Sequence, residues 1–279
     1  MSVSIHIDSR EETLHSVIER GRVEYGNQSV TYVDETPNQL QASEPFVLET
    51  GLAAGIESLA CARTRISELG HRAIAVGHTH HDRGHPIRRN AEDIELIIET
   101  LTGDERVHSA GLSRGWPAQV LATKHLPEKV CSLTAVAPAM MAPVNPMRLA
   151  MLGAEMARET IGNPQVFGRV LLDSLRTVRD RPDVTASEAV KLTLGFVHSR
   201  VEELRNTQKA LNLHLAASVR DGFFDERILE VLALQLKFDT YNSYRDGTAG
   251  HAAFTYSQGL VDLVVKTATT YEKPIKKVA

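Results

Sequence analysis

Apolar and polar residues alternate from Gly21 to Asp34 (GRVEYGNQSVTYVD) around Gly26-Asn27, the pattern of two half-buried strands joined by a tight turn. Before Gly21 the patterning is weak. Beyond it, short apolar runs take turns with helical periodicity. Pro45 to Leu48 reads as a strand, Ile56 to Leu69 as a helix and Arg72 to Val76 as a strand. Ala91 to Leu101 carries Ile94, Ile97, Ile98 and Leu101 on one helical face. Arg106 to Gly111 then reads as a strand, Ser113 to His125 as a helix and Val130 to Val136 as a strand. Strands that alternate with helices predict an α/β fold, a mostly parallel central sheet with helices on both faces.

From Pro143 the rhythm becomes purely helical. Met147, Ala150, Met151, Ala154 and Ala157 repeat at helical spacing, as do Phe167, Val170, Leu171, Ser174 and Val178, and then Val190, Leu194, Val197, Val201 and Leu204. Thr185-Ala186-Ser187-Glu188 has the form of a capping box at the start of the third run. Strand character returns at Leu213 to Val219, followed by helices from Glu226 to Leu236 and from about Tyr256 to Thr267. The expectation is an α/β core made of residues 1–143 and 212–279, with residues 144–211 inserted as a helical cap.

Composition narrows the partners. The 279 residues suffice for one large core, and a formal net charge of −4 with no long basic run gives no footprint for nucleic acid or an anionic membrane surface. No stretch reaches the ~20 apolar residues that span a bilayer, and the start, MSVSIHIDSREETLHSV, lacks the features of a secretory signal. Cys61 and Cys131 have no metal-type spacing and read as buried free thiols, which fits a cytoplasmic protein.

The chemistry-bearing stretch is Val107 to Gly115, VHSAGLSRG, in which a strand runs into G-x-S-x-G and a helix leaves it. A serine on so sharp a turn needs glycines two residues to either side, because side chains there would collide with it. Here the chain resembles the α/β-hydrolase family, from about Val23 to the C-terminus, with the insertion matching only in position and helical character. Leu69 to Val76 resembles that family's strand leading to its fourth-strand loop, and Pro127-Glu128-Lys129-Val130 its link from the elbow helix to the next strand.

The resemblance implies Ser113 as nucleophile, with an acid and then a histidine following in chain order. Gly250-His251, before the final helix, matches the catalytic histidine. His125, His198 and His214 suit the role less, lying on the elbow helix, in the insertion and in a strand. Asp221 matches the acid by its distance past a strand and ahead of an apolar pair. Its rival Asp225 precedes Glu226-Arg227-Ile228-Leu229 and is better explained as a helix N-cap. The oxyanion donors implied are the backbone N–H groups of Arg114 and Leu52. Two departures stand out: Thr50 occupies the usual histidine position before Gly51, and Trp116 a place where many members have a second glycine. Trp116 is thus a candidate to narrow the site or to pack beneath the cap.

One other motif competes. His78 to His85, HTHHDRGH, is similar to the HxHxD start of a metallo-β-lactamase-type metal site. The rest of such a site is missing. Arg83 replaces the motif's further histidine, and beyond His85 the middle of the chain offers only His108 in a strand and His125 on a helix. A metal fold would also leave Gly111 to Gly115, Asp221 and His251 unexplained. No metal or other cofactor is therefore expected. Asp82-Arg83-Gly84-His85 resembles the polar loop after the hydrolase family's fourth strand, which makes the stretch a loop near the pocket mouth and His85 a candidate substrate contact.

The whole implies a cofactor-free serine hydrolase acting on a small, partly hydrophobic carboxylic ester. Cleavage of a C–C, amide or lactone bond by the same triad, and a non-catalytic binding protein that keeps the fold, are the alternatives. The oligomeric state does not follow from the sequence.

Overall fold

Val47 and Ile74 turn to one side of the sheet while Phe46, Leu48, Ala73 and Ala75 turn to the other, and all six are fully buried. This is the period-two signature of strands buried on both faces. The structure is a computed structural model that describes residues 2–42, 44–50, 55–78, 86–138, 211–219, 221, 226–245, 250 and 253–270.

Nine strands form one sheet: β1 (Val3–Glu12), β2 (Ser16–Tyr25), β3 (Gln28–Pro37), β4 (Phe46–Glu49), β5 (Ala73–His78), β6 (Val107–Leu112), β7 (Val130–Val136), β8 (Asn212–Ser218) and β9 (Thr240–Tyr244). Their spatial order is β1-β2-β3-β5-β4-β6-β7-β8-β9. The pairs among β1, β2, β3 and β5 are antiparallel, and all pairs from β5 through β4 to β9 are parallel. β2 and β3 form the expected hairpin, turning at Gly26, whose φ of 63° suits a residue without a Cβ.

Helices α2 (Pro86–Leu101), α3 (Gly115–His125) and α4 (Glu226–Gln235) bury Ile94, Ile97, Ile98, Val120 and Leu229 on one face. On the other, α1 (Ala60–Glu68) and α5 (Gln258–Thr270) bury Ile66, Leu260, Val261 and Val264. The α/β architecture read from the sequence is the one observed.

Two strands escaped the sequence pattern. β1 is exposed along its whole length, so its sequence carries no buried face, and β9, TYNSY, is a half-buried edge strand with no apolar run. α2 also begins five residues before its apolar stripe, at Pro86, a residue suited to the first helical turn. Of the two thiols, Cys131 is buried, and burial pushes it up to about 11, whereas Cys61 is only half-buried.

The chain runs from β4 outward to β5 and then back past β4 to β6, so the direction of winding reverses at β4. In open parallel sheets the crevice at the carboxyl ends of the strands beside such a reversal is where ligands bind. The ends of β4 and β6 border such a crevice.

At the opposite end of these strands, His108 packs on Phe46 with ring centroids 4.8 Å apart, and its Nδ1 lies 2.8 Å from Ser132 Oγ. Burial lowers the His108 pKa to about 4, well below 6.5. Folding must therefore keep this imidazole neutral. Its stabilising contribution is complete above pH 6.5 and is lost as the pH falls toward 4, by on the order of 3 kcal/mol. Melting temperatures measured between pH 8 and 4 should fall along this window, and His108→Asn should make the fall shallower.

Candidate active site

Strand β6 ends at Leu112 and α3 begins at Gly115, so only Ser113 and Arg114 make the turn. Ser113 takes φ 50°, the left-handed region that costs a non-glycine residue on the order of 1–3 kcal/mol. The flanking glycines make this turn possible. A Cβ on Gly111 would lie 2.6 Å from the Trp116 nitrogen, and one on Gly115 would lie 2.6 Å from both Glu49 Cγ and the Thr50 carbonyl oxygen. The Ser113 N–H donates to the Val136 carbonyl at 2.9 Å, and the Trp116 N–H to the Ser113 carbonyl at 3.3 Å. Gln119 pins α3 beneath the turn, its side chain bonded to Ser109 of β6 and to the Val47 carbonyl of β4 at 3.3 Å.

Arg114 is buried, and its backbone lies at the N-terminus of α3, where the helix dipole favours negative charge. Asp221 is also buried, just past β8, with its N–H donating to the Ser218 carbonyl at 3.1 Å. β6, β7 and β8 are neighbours, so Ser113 and Asp221 emerge from carboxyl ends two strands apart, roughly 10 Å at the usual strand spacing.

Gly250 is buried and donates its N–H to Tyr256 Oη at 3.1 Å, while Ala253 and Phe254 are wholly buried in the core against α1 and α5. His251 itself lies outside the described residues, as do Leu52, His85, Asp225 and, except for Leu211, the expected cap. The Trp116 indole is fully buried 5.8 Å from the Phe238 ring, in the core on the α2 and α3 side.

The geometry also brings forward a group that the motifs did not reveal. His78 closes β5, and both ring nitrogens are engaged: Nδ1 is 2.7 Å from Asp93 Oδ2 and Nε2 is 2.7 Å from Glu49 Oε1. Gln28 Nε2 donates to the other Asp93 oxygen at 2.7 Å, and Arg114 Nη2 lies 3.7 Å from Glu49 Oε1. Glu49 and Asp93 are completely buried. Burial alone pushes the His78 imidazole toward neutrality, but the Glu49 charge and the hydrogen bonds to Asp93 and Glu49 outweigh it and raise its pKa to about 9.

A pKa raised to about 9 favours the imidazolium, and in that form each ring N–H serves a carboxylate. Among the described residues no cluster of three or more His, Cys, Asp or Glu side chains is arranged to hold a metal ion. No helix among them is long and apolar enough to cross a membrane. The one available sequence signal for this group was Asp93, a carboxylate four residues before Ile97 on the apolar stripe of α2.

No known family's sequence profile matches the chain, and neither does any curated protein sequence. Solved structures do match. A thermophilic esterase from Thermogutta terrifontis aligns over 88% of this chain and 97% of its own, with a TM-score of 0.66 and 13% identity. Est816, described as an N-acyl homoserine lactone degrading enzyme, aligns over 88% and 98% with a TM-score of 0.64 and 12% identity. A thioesterase domain from the curacin biosynthetic pathway aligns over 89% and 99% with a TM-score of 0.62 and 12% identity. The chain has the α/β-hydrolase fold.

Within this α/β-hydrolase fold the elbow is the most tightly constrained turn described above, and it is testable by a single methyl group. Gly115→Ala should destabilise the protein by about 1–3 kcal/mol, because β4 backbone blocks the added Cβ. Urea denaturation of wild type and variant measures the difference; equal midpoints would contradict this close approach.

Proposed function

We propose that the protein is a serine hydrolase that cleaves a carboxylic ester through an acyl-enzyme on Ser113. The observation that carries this reading is the elbow itself: a serine held at φ 50° between a strand and a helix, at the carboxyl edge of the sheet and at its winding reversal. Strained non-glycine backbone persists only where surrounding structure enforces it, and here two glycines and the end of β4 do so. The similar structures named as an esterase, a thioesterase and a lactone-degrading enzyme support acyl transfer as the chemistry.

In this mechanism Ser113 Oγ attacks the acyl carbon as His251 takes its proton, and Asp221 holds the imidazole in the required tautomer. The carbonyl oxygen gains negative charge and is held by the backbone N–H groups of Arg114 and Leu52. His251 then returns the proton to the departing alkoxide. Water, deprotonated by the same histidine, releases the acid and restores Ser113. Every atom and proton comes from substrate, water and the triad, so the scheme needs no cofactor. The roughly 10 Å between the chain ends that carry Ser113 and Asp221 leaves room for one imidazole between them. The helical insertion, residues 144–211, would cover this edge as a cap, and its apolar faces favour a small, partly hydrophobic substrate.

A fluorophosphonate probe followed by an ester chain-length series tests the reading, with thioester, lactone and amide substrates alongside. The wild type should label and Ser113→Ala should not. Asp221→Asn should lower kcat by about 10⁴-fold, and His251→Ala should be similarly impaired, while Asp225→Asn stays near wild type. An unlabelled wild type, or equal labelling of Ser113→Ala, would contradict the assignment.

A further inference from the structure

We propose that Glu49, His78 and Asp93 form a buried ionic brace that fixes the Arg114 end of the elbow, which makes Glu49 and His78 positioning residues for the reaction at Ser113. The proposal rests on the reading of Ser113 as nucleophile. It starts from charge. Two fully buried carboxylates face one imidazolium, and the Arg114 guanidinium approaches the same Glu49 oxygen from the other side. Among the described residues two negative and two positive groups thus meet in a place where an uncompensated charge would cost several kcal/mol.

The brace joins residues that lie far apart along the chain. Glu49 ends β4, His78 ends β5, Asp93 lies on α2, Gln28 opens β3, and Arg114 begins the elbow helix. Glu49 is the pivotal member. Its backbone pairs in register with Gly111, its Cγ fills the space that a Gly115 side chain would need, and it stands three residues before Leu52. Any shift of Glu49 therefore presses on the turn that carries both Ser113 and Arg114.

The proton on His78 decides whether the brace is closed. With both nitrogens protonated, each carboxylate receives an N–H. When one proton leaves for solvent, a ring lone pair faces a carboxylate at 2.7 Å, and one of the two contacts turns repulsive. Among the described residues, the charged groups facing His78 are Glu49 from β4 and Asp93 from α2, with Arg114 behind Glu49 and Gln28 behind Asp93. Since the folded pKa lies above the ordinary 6.5, the contribution of the brace to stability is complete below pH 6.5 and is lost as the pH rises through about 9.

Two measurements test this together. Nitrogen-15 NMR of histidine-labelled wild-type protein, with His78 assigned by its loss in His78→Gln, should show both ring nitrogens protonated at pH 8 and deprotonation near pH 9. Ester kinetics of Glu49→Gln should show kcat lowered about ten- to hundredfold with KM nearly unchanged, and the alkaline limb displaced to lower pH because His78 has lost an anion. If Glu49→Gln does not fold, Asp93→Asn, on the far side of His78, should give the same displacement. A neutral His78 at pH 8, or a folded variant with the wild-type kcat and alkaline limb, would overturn the proposal. If wild type fails to label with the fluorophosphonate, the hydrolase reading falls and the NMR result alone decides the brace.

Discussion

The elbow helix packs so closely on the end of β4 that only glycine fits at position 115, and much of the site follows from that approach. It lets Ser113 stand in a left-handed conformation between β6 and α3. It brings the first residues of α3 next to the β4 end. A methyl group on Gly111 would press β6 against the start of α3, and one on Gly115 would press α3 against the end of β4, which is why the glycines sit where they do.

The sheet supplies the rest of the arrangement. Because β4 lies between β5 and β6, its last residue meets side chains from both directions of winding: His78 on one side, Gly111 and Arg114 on the other. A carboxylate at that junction is costly to bury alone. His78 and Arg114 make Glu49 tolerable, and Asp93 in turn holds the His78 ring from the opposite side. The ionic group is thus tied to the same constraint as the turn, since both depend on β4 ending against the start of α3.

What was legible in the sequence was what is local. Ser113 and its glycines lie within five residues, and the apolar stripe of α2 within twelve, so pattern alone disclosed the turn and the alternation of strands and helices. His78 was visible only as part of HTHHDRGH, where four crowded histidines suggest a metal. Its partners lie 29 and 15 residues away in the chain, and the strand order that brings them together is not written in any short segment. β1 and β9 were hidden because an exposed or half-buried edge strand needs no apolar face.

An acyl group carried on Ser113 can be caught by rapid-quench mass spectrometry during turnover of an activated ester, with the adduct mapped by peptide digestion. The expected result is a transient mass increase equal to the acyl group, confined to the peptide containing Ser113 and absent from Ser113→Ala. Ester turnover with no adduct on that peptide, or with the adduct on another residue, would contradict the account.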